Sequence, residues 1–190
     1  MKRLLSFGLI AMLAGCATIE KETRIPSDLK AYEFNSAASL YMPKPTFVSF
    51  ESFGSGENVL AVKMTTYGID QYGNRESTIR YSQLHAEKYI DLIDKYLEWN
   101  KIALQRKDIV NKEIGRGDAW TGGTDAELRF SFYSGNENSH FLAVSFCTML
   151  TCLDDKSHYY DAENAVKLRS LLERLSVGSI SQSSVEDVYN

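Results

Sequence analysis

The 190-residue chain has only three cysteines, three histidines and no surplus of basic residues, and each shortage removes a class of function. With 21 Lys and Arg against 25 Asp and Glu, the net charge is −4, which excludes nucleic acid or an anionic lipid surface as the principal partner. Apolar runs are short throughout, and none reaches the roughly 20 residues that a spanning helix needs. His85, His140 and His158 fall in a helical pattern, at a strand start and in a loop, with neither HExxH nor a two-His spacing. CxxC, GxSxG, GxxxxGK and GxGxxG are also absent. No cofactor, no metal site and no catalytic constellation are therefore predicted.

What the chain does have begins at its N-terminus. Lys2 and Arg3 precede an apolar stretch from Leu4 to Leu13, and the small residues Ala14 and Gly15 then lead into Cys16. A basic start followed by a short apolar run is the pattern of an export signal. Leu13-Ala14-Gly15-Cys16 resembles the lipobox of bacterial lipoproteins, and the resemblance covers about the first 17 residues only. It implies cleavage before Cys16, a diacylglycerol on the Cys16 sulfur and acylation of the new amino group. Ala17, where an aspartate typically retains a lipoprotein at the inner membrane, implies the periplasmic face of the outer membrane. Acyl chains at about 0.8 kcal/mol per buried methylene make such an anchor essentially permanent.

Cys147 and Cys152 are then the remaining thiols, in an oxidising compartment, and a structural disulfide is expected between them. Their spacing in CTMLTC puts them on opposite faces of any continuous strand, so the bridge requires a turn. Closing so short a loop contributes about 2 kcal/mol by the chain-entropy estimate.

The predicted organisation is a signal peptide over 1–15, a lipidated N-terminus and polar tether over 16–30, one α+β domain over 31–176 and a disordered Ser-rich tail over 177–190. TFVSFESF (46–53) and NVLAVKMTT (58–66) read as a hairpin across GSGE, with STIRYS as a further strand. Ser82 is the predicted N-cap of a long amphipathic helix. Leu128, Phe130 and Phe132 alternate with polar residues, HFLAVSFCTML reads as a central strand, and Asp161 caps a second helix. Adjacent strands with short turns predict one twisted antiparallel sheet carrying both helices on one face. An offset of 79 residues pairs Tyr81 with Tyr160, Ser82 with Asp161 and Asp94 with Glu173, so a strands-helix, strands-helix repeat competes with a shared helix grammar. NKEIGRGDAWTGGTDA, between the halves, reads as a loop and a candidate binding segment.

Three clusters compete for chemistry. Asp154, Asp155, His158 and Asp161 share one loop, though Asp161 is already assigned to capping. Asp91, Asp94 and Glu98 sit on the long helix among lysines and read as a solvated face. Trp99, Trp120, Tyr67, Tyr72, Tyr81, Tyr133, Tyr159 and Tyr160 either close the core or form a binding platform. The expectation is a non-enzymatic, outer-membrane-anchored periplasmic lipoprotein that binds another envelope protein, with glycan as a further ligand class. A cell-wall-active hydrolase and a periplasmic inhibitor or immunity protein are the alternatives.

Overall fold

The structure, a computed structural model, describes residues 18–70, 73–121, 125–149 and 151–180. In chain order the elements are β1 (Ile19–Ile25), β2 (Ala31–Asn35), β3 (Leu40–Lys44), β4 (Thr46–Phe53), β5 (Asn58–Asp70), β6 (Gly73–Ser82) and α1 (Ala86–Arg106), then β7 (Asn111–Asp118), β8 (Ala126–Asn136), β9 (Ser139–Thr148), β10 (Thr151–Cys152), β11 (His158–Tyr160) and α2 (Ala162–Ser176). All strand pairs are antiparallel, and the fold class is α+β as expected.

The strands form two sheets instead of the single one predicted. The first has the order β1-β4-β5-β6, and the second β3-β2-β11-β9-β8-β7 with β10 on β9. Apart from the β2–β3 hairpin, which joins the second sheet, each half pairs its own strands, and the edge of β6 is not continued by β7.

The registers show that the two halves repeat. In the first sheet Thr23, Phe50, Leu60 and Tyr81 stand in one row across β1, β4, β5 and β6. In the second, Lys112, Phe132, Leu142 and Tyr160 stand in the same row across β7, β8, β9 and β11. Ser49-Phe50 and Leu60-Ala61-Val62 therefore match Ser131-Phe132 and Leu142-Ala143-Val144 at the same separation. The unit is four strands and a helix, used twice, with the β2–β3 hairpin inserted after the first strand and paired onto β11.

The helices cross between the halves. α1 lies on β7, β8 and β9 of the second sheet, whereas α2 lies on β5 of the first as well as on β9 and β11. α1 buries Ala86, Tyr89, Ile93, Tyr96, Asn100 and Ala103, an i, i+3, i+4 stripe. Ser82 Oγ accepts from the Leu84 amide and opens a single 3₁₀ turn, Gln83–His85, that leads into α1. Asp161 Oδ1 accepts from the Asn164 amide at 2.9 Å and caps α2. Arg169 of α2 reaches Asp94 of α1 at 2.6 Å and Glu173 at 2.5 Å, so one guanidinium holds both residues that the 79-residue offset relates. Asp94 is thus tied to α2 and is not simply solvated.

Two segments differ from expectation. The stretch read as a tether contains β1, and Ile25 and Leu29 are buried in the core. β1 is an edge strand exposed over Ile19–Glu22, so its backbone pairing with β4 gives no apolar periodicity. The stretch read as a glycine-rich loop contains β7. Its glycines serve close approach, since a Cβ on Gly115 would lie 2.7 Å from Leu92 Cδ2 and one on Gly117 2.9 Å from Tyr89 Cε1. The predicted tail is described only to Ile180, which is buried, and 181–190 lie outside the described residues, as do Cys16 and Tyr72.

Candidate functional site

Alternation along the second sheet decides what its outer face carries. In β8, Leu128, Phe130 and Phe132 point to the helices, which turns Glu127, Arg129, Ser131 and Tyr133 outward. In β9, Leu142 and Val144 point inward, and Phe141, Ala143 and Ser145 outward. The same parity turns Tyr159 of β11, Tyr32 and Phe34 of β2, and Tyr41 of β3 to this face, because Tyr159 opposes both Ala143 and Tyr32, and Phe34 opposes Tyr41.

Six rings from five strands are therefore contiguous. Tyr41 lies at the centre, 4.7 Å from Phe141, 4.7 Å from Tyr159, 5.5 Å from Tyr133 and 5.3 Å from Phe34 by ring centroids, and Tyr32 is 5.7 Å from Phe141. These tilted and edge-on contacts are the stable arrangements for aromatic pairs. Phe34 is 49 % exposed and forms the open rim, while Phe141 is buried as the floor. Burial, followed by the hydroxyl of Tyr133, raises the Tyr41 phenol well above its ordinary range. Tyr159 is raised by burial, and Tyr32 is pushed up to about 12 by burial and its 2.9 Å bond to Asp161. The phenols stay protonated at neutral pH and offer O–H donors, not phenolate nucleophiles.

Beside the rings lies a polar concavity of about 330 Å³. Arg129 is ion-paired with Asp154, and its Nη2 reaches Ser145 Oγ at 3.4 Å, while its Nε is buried with no hydrogen-bond partner. The hydroxyls of Ser145 and Ser157 are 2.7 Å apart and buried. Tyr133 and Tyr159 line both the concavity and the ring cluster, which makes the two a single surface.

The outer face of the first sheet shows what the same unit does when covered. Glu51, 3 % exposed, is bonded by Arg80 at 2.7 Å, and Trp120 stacks on Phe53 with centroids 3.9 Å apart and Arg80 5.6 Å from its ring. By register, Glu51 corresponds to Tyr133 and Arg80 to Tyr159. Trp120, which follows β7 in the stretch predicted as a binding loop, is thus used as a cover.

The loop cluster of acidic residues and His158 does not converge. His158 is fully buried, bonded to Ser77 through Nε2 and to the Tyr160 hydroxyl through Nδ1, Asp154 faces Arg129, and Asp161 caps α2. Among the described residues no three His, Cys, Asp or Glu side chains stand where they could hold a metal ion. Burial lowers the His158 imidazole to about 4, so it is neutral at pH 7. Cys147 and Cys152 are joined in a disulfide across the β9–β10 pair, with Met149 at φ 51° supplying the turn that their spacing required.

Of the described aromatics among those named from sequence, Tyr81 and Tyr160 are core, Trp99 packs on Phe132, Trp120 covers Phe53, Tyr67 sits under Lys44, and Tyr133 and Tyr159 reach the candidate site. Tyr32, Phe34, Tyr41 and Phe141 were not singled out. The alternation of AYEFN, with Tyr32 and Phe34 two apart, is the signal that marks them. Compared with protein families, curated proteins and solved structures, the chain matches none.

Proposed function

We propose that this protein is a lipid-anchored binding module of the bacterial envelope, fixed through Cys16 at the periplasmic face of the outer membrane, and that it recognises another envelope protein through the outer face of its second sheet. The observation that carries this reading is the continuous ring cluster on an open sheet face, edged by a polar concavity. Amphipathic aromatics around a partly desolvated arginine are the composition of an interface centre, with polar groups at its rim. No helix of the described residues is long and apolar enough to cross a membrane, which is compatible with attachment by lipid.

A photo-crosslinking amino acid at Phe34 in intact cells tests the reading. One protein should be recovered in comparable amount, and the purified pair should lose 10-fold or more in affinity with Phe34→Ala while thermal stability holds. Crosslinks spread over abundant proteins, or unchanged affinity in Phe34→Ala, would refute it.

The Arg129–Asp154 pair and serine hydroxyls beside Tyr133 and Tyr159 favour one second reading, a glycan, because stacking rings next to paired polar groups suit a sugar face and its hydroxyls. Sedimentation with purified cell wall, lost in Tyr159→Ala and kept in Phe34→Ala, would select it.

A further inference from the structure

Resting on the lipid-anchor reading, the geometry points to a defined membrane-facing end: we infer that the β4–β5 hairpin end of the first sheet lies on the lipid surface, with Leu84 and Val177 as its apolar contacts.

The inference starts from how little chain separates the anchor from the fold. The Gly54 amide donates to the Thr18 carbonyl at 3.5 Å, and from Ile19 to Ile25 the chain is paired to β4. Cys16 stands two residues before Thr18, and two residues span at most about 7 Å. Acyl chains on Cys16 would therefore hold Thr18 and Gly54 within about that distance of the headgroup layer.

A bonded row extends from that point across the end of the sheet. Ser52 donates to Asn58 at 3.0 Å, and Asn58 donates to Gln83 Oε1 at 2.9 Å. A Cβ on Gly178 would sit 3.7 Å from Gln83 Nε2, which brings the end of α2 to the same edge. Next to this row stand Leu84, 76 % exposed, and Val177, 75 % exposed. Both are held by rigid turns, Leu84 in the 3₁₀ turn after β6 and Val177 where its amide bonds the Glu173 carbonyl. Leu84 follows β6, three strand spacings or about 14 Å along the sheet end from β1, so a lipid surface lying along that end meets both the anchor point and the two apolar side chains.

The charges at this end set the lipid chemistry. Glu20 borders Gly54 and Glu57 accepts from Ser55 at 3.1 Å, with Lys21 opposite Ser52 as the cation beside these two carboxylates. These carboxylates suit a zwitterionic surface and oppose an anionic one.

The far end of the domain provides the control. β4 runs eight residues from Phe53 back to Thr46, seven steps or about 23 Å at 3.3 Å per step. Thr46 Oγ1 accepts from the Ala31 amide, so the β2–β3 hairpin, with Leu40 48 % exposed, begins at that distal end.

The test uses the mature lipidated protein in phosphatidylcholine vesicles, with an environment-sensitive fluorophore on Leu84→Cys, Val177→Cys or Leu40→Cys in turn. A quencher carried by the lipid headgroups should reduce the signal at positions 84 and 177 several-fold more than at position 40. Replacing half the lipid by phosphatidylglycerol should weaken that difference. Equal quenching at all three positions, or stronger quenching at 40, in protein whose N-terminal peptide carries the acyl mass would overturn the orientation alone. An unacylated Cys16 would overturn the anchor reading and this inference with it.

Discussion

His158 makes the fold sensitive to mild acid, and the effect can be worked out. Its ring lies where β11 meets β6, with Nε2 bonded to Ser77 and Nδ1 to Tyr160, and it is fully buried. Burial lowers its pKa from 6.5 to about 4. Between these values the unfolded chain binds a proton that the folded chain refuses. Stability is therefore complete above pH 6.5 and falls as pH drops towards 4, by at most about 1.4 kcal/mol per pH unit and about 3 kcal/mol over the window. Burial lowers His140 in the same direction and adds to the slope. Carboxylates held low by cations, such as Glu113 beside Arg116, lose their contribution only at lower pH. The assay is urea unfolding at half-unit steps from pH 7 to pH 4. His158→Gln should be less stable at pH 7, through lost packing, but its stability should change with pH by about one proton less than that of the native chain. Equal pH slopes in the two proteins would refute the reasoning.

Three further outcomes are expected. Gly117→Ala should lower stability by about 1–3 kcal/mol in thermal unfolding, because its Cβ would meet the buried Tyr89 ring at 2.9 Å, and the same change at exposed Gly135, whose nearest atom is 3.6 Å away, should cost less. Asp161→Ala should cost about 1–2 kcal/mol through loss of the α2 cap and of the Tyr32 bond, with Asp161→Asn recovering most of it in denaturant titrations. Reducing Cys147–Cys152 should cost about 2 kcal/mol, and folded, unreduced protein should leave both cysteines unlabelled by maleimide in a mass assay.

How much of this was legible in the sequence depended on burial. β8 matches the alternation of Leu128, Phe130 and Phe132, and α2 follows Asp161, because a one-sided core gives alternation in a strand and a 3.6-residue stripe in a helix. For β1 and β7 the sequence predicts tether and loop instead. The first is exposed on an edge, and the second has glycines where α1 presses against it, so neither shows apolar periodicity. The helix offset of 79 pointed to a repeat, but the match in the strands, Ser49-Phe50 with Ser131-Phe132, lies at 82. The last strand already carries the helix offset, Tyr81 with Tyr160, so a three-residue change between the third and fourth strands kept a single offset from aligning the whole unit. The candidate site was half legible. Tyr133 and Tyr159 stood out, whereas Tyr41 joins them only through the β2–β3 hairpin, a pairing that crosses more than 100 residues of sequence.

The exchange of helices between the halves has a consequence for how the chain folds. A half with its own sheet and its own helix could fold alone and later dock, as tandem domains do. Here α1 covers the sheet of the half that follows it, and α2 spans both, so either half in isolation would leave an apolar sheet face in water. Unfolding should then be all-or-none, with helix and sheet signals lost at one denaturant concentration. The nascent first half, through α1, has to wait for β7, β8 and β9 before its helix has a surface to lie on, and during that interval the apolar face of α1 stays in water.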